Sequence, residues 1–302
     1  MKKLIVFLIA NLGFAQHTDI INSNRPGESQ GAFAVGKTVL QVEAGLVGAM
    51  EEHKLLRYES VGGGMDLAVR YGAFKEQLEL IGSMQYFIDQ YDTSLGNYNR
   101  YGIRKMELGA KYLIYDPYKN FEEKKNIHSW AANQKFNWKK LIPAVSVYAG
   151  ASFEFDPFNQ FNEPIISPKA TLITQNQLGR AVLVTNFYVD KIGTEFMNYG
   201  YIVTGTYALN RYWSAFLENR GYIGDYYSDG IIRGGLAKLL NDNLQIDASI
   251  SHNIKNTPKI AYASIGLSWR YDGNYQNIIF TRGTKIQKEK KPRKKKKFLG
   301  IF

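Results

Sequence analysis

Alternation of apolar and polar residues, repeated in one segment after another, is the feature that most limits what this 302-residue chain can form. Residues 244–251 (LQIDASIS) and 261–271 (AYASIGLSWRY) both follow this period of two. A β-strand turns successive side chains to opposite faces, whereas an amphipathic helix needs apolar residues three and four positions apart. The pattern therefore predicts strands that each have one apolar and one polar face.

Twelve segments of this kind can be counted, and the connections between them alternate in length. They lie at about 38–50, 64–72, 75–89, 101–115, 143–155, 168–177, 180–190, 195–209, 211–220, 229–240, 243–252 and 259–271. Tight connections fall at 73–74, 178–179, near Asn210 and at 241–242, and longer ones at 51–63, 90–100, 156–167, 191–194, 221–228 and 253–258. Short turns on one side and long loops on the other are typical of outer-membrane barrels.

A soluble sandwich or a lipocalin-like barrel would show the same alternation, but three features favour a membrane. The strands are long, aromatic residues cluster towards strand ends, and the polar faces carry charges in mid-strand. We therefore predict an all-β fold, a transmembrane antiparallel β-barrel of about 12 strands over residues 38–272, with an insert at 116–142. We expect these charged side chains to face the lumen: Glu43, Asp66, Arg70, Glu79, Lys105, Glu107, Lys111, Glu154, Glu218, Arg233, Asp247 and Arg270.

The two ends of the chain indicate export. Lys2 and Lys3 precede a short apolar run, and Gly13-Phe14-Ala15 supplies the small residues that a signal peptidase reads, so residues 1–15 are predicted to be a signal peptide. No later window has 18 uncharged apolar residues. We expect 16–37 to be a periplasmic segment and 273–302 a basic periplasmic tail, in an outer-membrane protein of a Gram-negative-type cell.

The net charge of +11 is confined to the two ends of the chain, which argues against nucleic-acid binding by the body of the protein. Ten basic residues and one acidic residue lie within 282–302, Lys2 and Lys3 carry the rest, and residues 4–281 are neutral. We expect outer-membrane lipid as one partner, and other outer-membrane or periplasmic proteins through the 116–142 insert and the tail. The partner-binding residues of the tail are predicted to be Lys294, Lys295, Lys296, Lys297, Phe298, Leu299, Ile301 and Phe302.

Catalytic and metal-binding motifs are not expected. The chain has no Cys, and its four His are not spaced as metal ligands. Ser251 and His252 resemble part of a hydrolase site, but consecutive strand residues point to opposite faces, so they cannot act together as nucleophile and base. The sequence therefore predicts no catalytic residue, no metal site and no cofactor.

Both ends of the predicted barrel resemble one family. Residues 23–29 (SNRPGES), followed by 37–45 (KTVLQVEAG), resemble the opening of an outer-membrane barrel family that is linked by name to the meta-pathway of phenol degradation. Residues 244–249 and 266–270 (GLSWR) resemble its last hairpin. The resemblance spans about 23–271 and implies a barrel with a loose association with transport. It implies no catalytic mechanism.

Two functions follow from these observations. The insert and the tail favour a non-enzymatic structural or accessory subunit of an outer-membrane protein complex. The alternative is a passive channel or transporter for small solutes, including aromatic or apolar ones. Because the inward charges have both signs, we expect them to pair, to narrow the lumen and to give low conductance.

Overall fold

Twelve antiparallel strands close into a barrel in the computed structural model, which describes residues 20–117, 141–159, 163–273, 275, 278–279 and 287–288. Their bounds are β1 Leu40–His53, β2 Tyr58–Gly72, β3 Leu78–Thr93, β4 Gly96–Tyr115, β5 Ala144–Phe153, β6 Ile166–Leu178, β7 Ala181–Asp190, β8 Asn198–Ala208, β9 Trp213–Gly224, β10 Asp229–Asn241, β11 Leu244–Asn253 and β12 Lys259–Tyr271. A two-residue pair, β13 (Ile278–Ile279) and β14 (Gln287–Lys288), follows. The prediction of a twelve-stranded antiparallel barrel is confirmed.

Each strand pairs with its neighbours in sequence, and β1 pairs with β12 from Leu40 opposite Tyr271 to Glu52 opposite Lys259. This last pairing leaves no free sheet edge, so the backbone groups of the wall are satisfied as a membrane interior requires. Within the described part of the chain, no helix is long and apolar enough to cross a membrane. The predicted signal peptide, the partner-binding residues of the tail and nearly all of the insert lie outside the described residues.

The two rims of the barrel differ in their connections. The rim at which β1 begins and β12 ends, here called the terminal rim, has the connections 73–77, 116–143, 179–180, 209–212 and 242–243. The opposite rim, here called the distal rim, has 54–57, 94–95, 154–165, 191–197, 225–228 and 254–258. The long loops predicted at 51–63 and 90–100 are wrong. The ladders continue to His53 opposite Tyr58 and to Thr93 opposite Gly96, because backbone pairing persists where the side chains have become polar on both faces.

The outer face of the barrel is apolar and has aromatic side chains along the terminal rim. Leu46, Ile250 and Ile265 are exposed in mid-strand on this face. At the terminal rim, the exposed aromatic residues are Tyr71, Phe74, Tyr115, Tyr207, Tyr212, Trp213, Trp269 and Tyr271. An apolar band edged by aromatic rings matches a hydrocarbon layer between two interfaces.

The inside of the barrel is occupied by the chain itself. Residues 20–39, here called the inner segment, enter at the terminal rim, where the Ile21 amide donates to the Asp242 carbonyl at 2.8 Å. They leave at the same rim, where the Thr38 amide donates to the Gly72 carbonyl at 2.8 Å. Between these points, hydrogen bonds join the segment to the inward faces of most strands. The sequence predicts a periplasmic segment at 16–37, but its described part lies in the lumen, because inward polar side chains of the strands bind its backbone.

Gly72 permits this exit, and replacing it tests the arrangement. A Cβ at Gly72 would lie 1.6 Å from the Gly36 carbonyl oxygen, whereas a Cβ at Gly205 would have no atom within 4 Å. We expect Gly72→Ala to destabilise the barrel by about 1–3 kcal/mol, as overpacking does, and Gly205→Ala to have little effect. The midpoint of the heat-induced mobility change on gels measures both. Equal midpoints for the two variants would contradict this role of Gly72.

Candidate functional site

The centre of the lumen is organised around the guanidinium of Arg25, which the inner segment carries. It lies 3.2 Å from Asp247 on β11 and 3.7 Å from Asp66 on β2. A Cβ at Gly45 or at Gly266 would lie 2.3 Å from this guanidinium. The two glycines thus leave a slot in the wall between β1 and β12. The arginine fits into this slot only because neither glycine has a side chain.

Glu43 binds the backbone of Arg25 and of the residue before it. Its carboxylate accepts hydrogen bonds from the Asn24 amide at 3.2 Å and the Arg25 amide at 3.3 Å. The same carboxylate pairs with Arg70 on β2 at 3.2 Å. Hydrogen bonds to an ionised acceptor contribute about 1.5–3 kcal/mol each when buried, so Glu43 holds the start of the inner segment firmly to the wall.

A second anchor holds the residues that follow 25–27, here called the turn of the inner segment. The Glu218 carboxylate on β9 accepts hydrogen bonds from the Glu28 amide at 3.0 Å, the Ser29 amide at 3.2 Å and the Thr204 hydroxyl at 2.8 Å. The Glu28 side chain forms ion pairs with Arg220 and, at 2.7 Å, with Arg233, which also pairs with Glu218 at 3.1 Å. The segment is therefore bound here through both its backbone and its side chain.

The second half of the segment returns along β7, β6 and β5. The backbone amide of Gln30 donates to the Asn186 side chain at 2.6 Å, and the Asn186 side chain donates to the backbone carbonyl of Gln30 at 2.9 Å. The Ala32 amide donates to Gln175 at 2.8 Å, and Phe33 packs in a small buried apolar cluster with Tyr148. Apolar contacts thus supplement the polar ones where the segment nears the terminal rim.

A buried cluster of charged side chains binds the second half of the inner segment. Lys111 donates to the Gly31 carbonyl at 2.8 Å and to the Phe33 carbonyl at 3.1 Å, and lies 3.2 Å from Glu79. Glu79 also pairs with Arg70 at 2.6 Å. Each of these charges has an opposite partner, as buried charges require.

The structure places the twelve charged residues predicted for the lumen as follows. Eleven lie on inward positions of strands: Glu43, Asp66, Arg70, Glu79, Lys105, Glu107, Lys111, Glu218, Arg233, Asp247 and Arg270. Glu154 lies in the connection after β5. Most of them contact the inner segment or one another, whereas Arg270 lies at the terminal rim beside Asn243, at 2.8 Å.

Arg104 is a lumen residue that the sequence pattern missed. In β4, Lys105 lies opposite Gln85 and Ile103 opposite Tyr86, so Arg104 is an extra residue in a β-bulge. A bulge lets two consecutive side chains point to one face, and both Arg104 and Lys105 line the same cavity. An alternating pattern assigns Arg104 to the lipid face, and nothing in the sequence marked the bulge.

The inner segment divides the lumen without filling it. Towards the distal rim lies a cavity of about 390 Å³ that is lined by Lys191, Tyr222 and Tyr262, among others. It adjoins a second cavity of about 240 Å³ in mid-barrel. On the terminal side lies a cavity of about 220 Å³, whose strand residues are uncharged and include Gln177, Thr206 and Gln245. All three border Arg25 and Gly27, so the turn of the segment separates them.

Charged loops border the distal cavity. Lys191 pairs with Glu163 and, at 3.5 Å, with Glu154, both in the loop 154–165. Burial raises the pKa of the Glu154 carboxyl above its ordinary value; Lys191 opposes this shift and Glu163 adds to it. The ion pairs join two loops that frame the distal mouth of the lumen.

Hydrolytic or metal-binding arrangements are not found among the described residues. Ser251 is buried on the inward face of β11, while His252 is exposed on the outward face. No group of three or more His, Asp or Glu is placed to hold a metal ion in the described ranges. The inner segment, its anchors and the adjoining cavities therefore form the candidate site.

Comparisons with known proteins agree with this fold. A family model described as "Putative MetA-pathway of phenol degradation" matches residues 23–271. An outer membrane channel from Pseudomonas putida F1 has a TM-score of 0.53 at 12% identity, over 82% of this chain and 99% of that one. The translocator domain of autotransporter NalP from Neisseria meningitidis, at 8% identity over 78% and 89%, has a TM-score of 0.48. The first likeness shows a shared fold; the second is too weak to support an argument. The sequence matches no curated protein.

The glycine slot gives a direct test of what holds the inner segment. We expect Gly45→Ala to push the guanidinium of Arg25 away from its two carboxylates and to loosen the segment. Gly48→Ala is the matched control, because Gly48 lies on the same strand and a Cβ there would have no atom closer than 4.0 Å. Ser29, which is 7% exposed, serves as the reporter after replacement by Cys, since the chain has no other Cys.

The rate at which a small water-soluble thiol reagent modifies Cys at position 29 is the measurement. Weakening the hold by about 1.4 kcal/mol raises the open fraction about tenfold, and we expect a rise of this order in Gly45→Ala alone. An unchanged rate would mean that the Arg25 slot does not hold the segment.

Proposed function

This chain belongs to the family whose description names the MetA-pathway of phenol degradation, and we propose that it is a passive channel for small solutes in the outer membrane. The observation that carries the proposal is the set of polar cavities on both sides of the inner segment, towards both rims. A barrel that served only as a membrane anchor needs no such cavities. The family and the fold favour a channel over the accessory-subunit interpretation, whose insert and tail lie almost wholly outside the described residues.

The inner segment is proposed to set the size of the pathway. It is held by hydrogen bonds, ion pairs and a small apolar cluster, all of which are reversible. Most of the inward charges pair with it or with each other, which reduces the free charge of the lumen and favours low ionic conductance. Passage then requires either a solute small enough to go around the turn at Arg25 or a displacement of the segment.

A reversible tether tests this role. The Ser23 and Ser268 hydroxyls lie 2.7 Å apart, so Cys at both positions is within reach of a disulfide. In liposomes that contain the double variant, we expect entry of a small neutral sugar such as arabinose to slow several-fold on oxidation and to recover with reductant. Single-Cys variants serve as controls, and Gly45→Ala is expected to speed entry.

Two results would decide against the proposal. If neither wild type nor Gly45→Ala admits any small solute, the chain is not a channel. If solutes enter at one rate in the oxidised, reduced and loosened proteins, the channel exists but the inner segment does not control it.

We also propose that the terminal rim faces the periplasm, because both ends of the barrel lie there and exported chains enter the outer membrane from that side. Leu95 at the distal rim is 89% exposed and Arg211 at the terminal rim is exposed. In intact cells, a membrane-impermeant thiol reagent is expected to label Leu95→Cys and to spare Arg211→Cys until the cells are lysed. The reverse labelling would invert the orientation.

A further inference from the structure

The walls of the two larger cavities around the turn carry more positive than negative side chains. Eight cationic residues and six acidic ones line them, among the residues that the structure describes. Four of these cations pair with acids that do not line the two cavities, namely Glu79, Glu163, Glu218 and Asp247, so the excess belongs to the cavity surface. The cavities face water and offer places for a negatively charged solute.

The excess of positive side chains is concentrated where one carboxylate pairs with two cations. A single oxygen of Glu107, Oε1, lies 2.9 Å from Lys105 and 2.7 Å from Lys169. Glu28 is likewise shared by Arg220 and Arg233. Arg233 also pairs with Glu218 at 3.1 Å. These four cations still have more donors than the three carboxylates use, since a Lys has three donors and an Arg five.

The β-bulge in β4 adds a further cation to this wall. Arg104 has no ion pair within the described residues, and its guanidinium lies 4.9 Å from the ring centroid of Phe87 and 5.9 Å from that of Tyr262. The side chain of Lys105 is 50% exposed although it points into the barrel. Both line the distal cavity, so two adjacent cations present unused donors to it.

Tyrosine rings lie beside these cations. The Arg220 Nε donates to the Tyr188 hydroxyl at 3.3 Å, and the Lys169 Nζ lies 5.6 Å from the Tyr188 ring centroid. Tyr188, Tyr222 and Tyr262 all line the distal cavity. The cavity, at about 390 Å³, falls within the range of roughly 300–1,000 Å³ that is usual for small-molecule sites.

From this arrangement we infer that Arg104, Lys105 and Arg220 form a binding site for a small organic carboxylate, whose apolar part lies against the tyrosine rings. The carboxylate accepts hydrogen bonds from the donors that these cations do not use in ion pairs, and a neutral solute of the same shape lacks the attraction between opposite charges. The inference rests on the proposed channel function for its biological meaning and names the class of solute that the channel prefers.

Binding to the purified full-length protein in detergent tests the site without requiring transport. Benzoate is the probe and benzamide its neutral counterpart of similar shape, both measured by titration calorimetry. We expect wild type to bind benzoate at least tenfold more tightly than benzamide. Higher salt is expected to weaken only benzoate binding, because screening acts on charge.

Three variants localise the binding. Lys105→Gln and Arg104→Gln are each expected to weaken benzoate binding about tenfold or more and to leave benzamide unchanged. Lys54→Gln, which removes the same charge from an exposed distal loop, is the matched control and is expected to bind like wild type. If one lumen variant fails to fold, as judged by its gel mobility, the other variant and the salt dependence of benzoate binding still test the proposed site.

The proposal is overturned if wild type binds benzoate no more tightly than benzamide, or if both lumen variants keep wild-type affinity. Liposome entry separates this from failure of the channel. Solute entry without benzoate preference rejects the carboxylate site alone, whereas benzoate binding without entry of any solute rejects the channel and leaves the site.

Discussion

The ion pairing of Arg25 with Asp66 and Asp247 is the interaction on which the interior of this barrel depends. It occurs in mid-lumen, in a slot left by Gly45 and Gly266, and it fixes the turn of the inner segment between the three cavities. Glu43 and Glu218 then bind the backbone on the two sides of that turn. A charged side chain in a confined lumen is costly without partners, so the wall and the segment specify each other.

This pairing joins two stretches that are far apart in the sequence. Arg25, Glu43 and Gly45 belong to the opening stretch, and Asp247 and Gly266 belong to the last hairpin. In sequence they lie about 200 residues or more apart, yet closure of β1 on β12 brings them around one guanidinium. These residues therefore mark the attachment of the inner segment, which is also the part of the chain that we propose controls passage.

The distal half of the lumen has a different character from this anchor. Around Arg25 the acids outnumber the cations, whereas around Glu107 and Glu28 the cations outnumber the acids. The β-bulge that adds Arg104 to the wall increases this contrast. A cavity lined by cations and tyrosines thus lies between the distal rim and the inner segment.

The sequence by itself determined the strand number, the antiparallel order and the two faces of the wall, because a period of two maps directly onto alternating sides of a strand. It also indicated which charges point inward at positions where the alternation is regular. Only the tertiary structure decided that residues 20–39 occupy the lumen, since their partners are spread over most of the strands and have no local pattern. Likewise, Arg104 could not be assigned from sequence, because a bulge depends on the register between two strands and not on the residues of one.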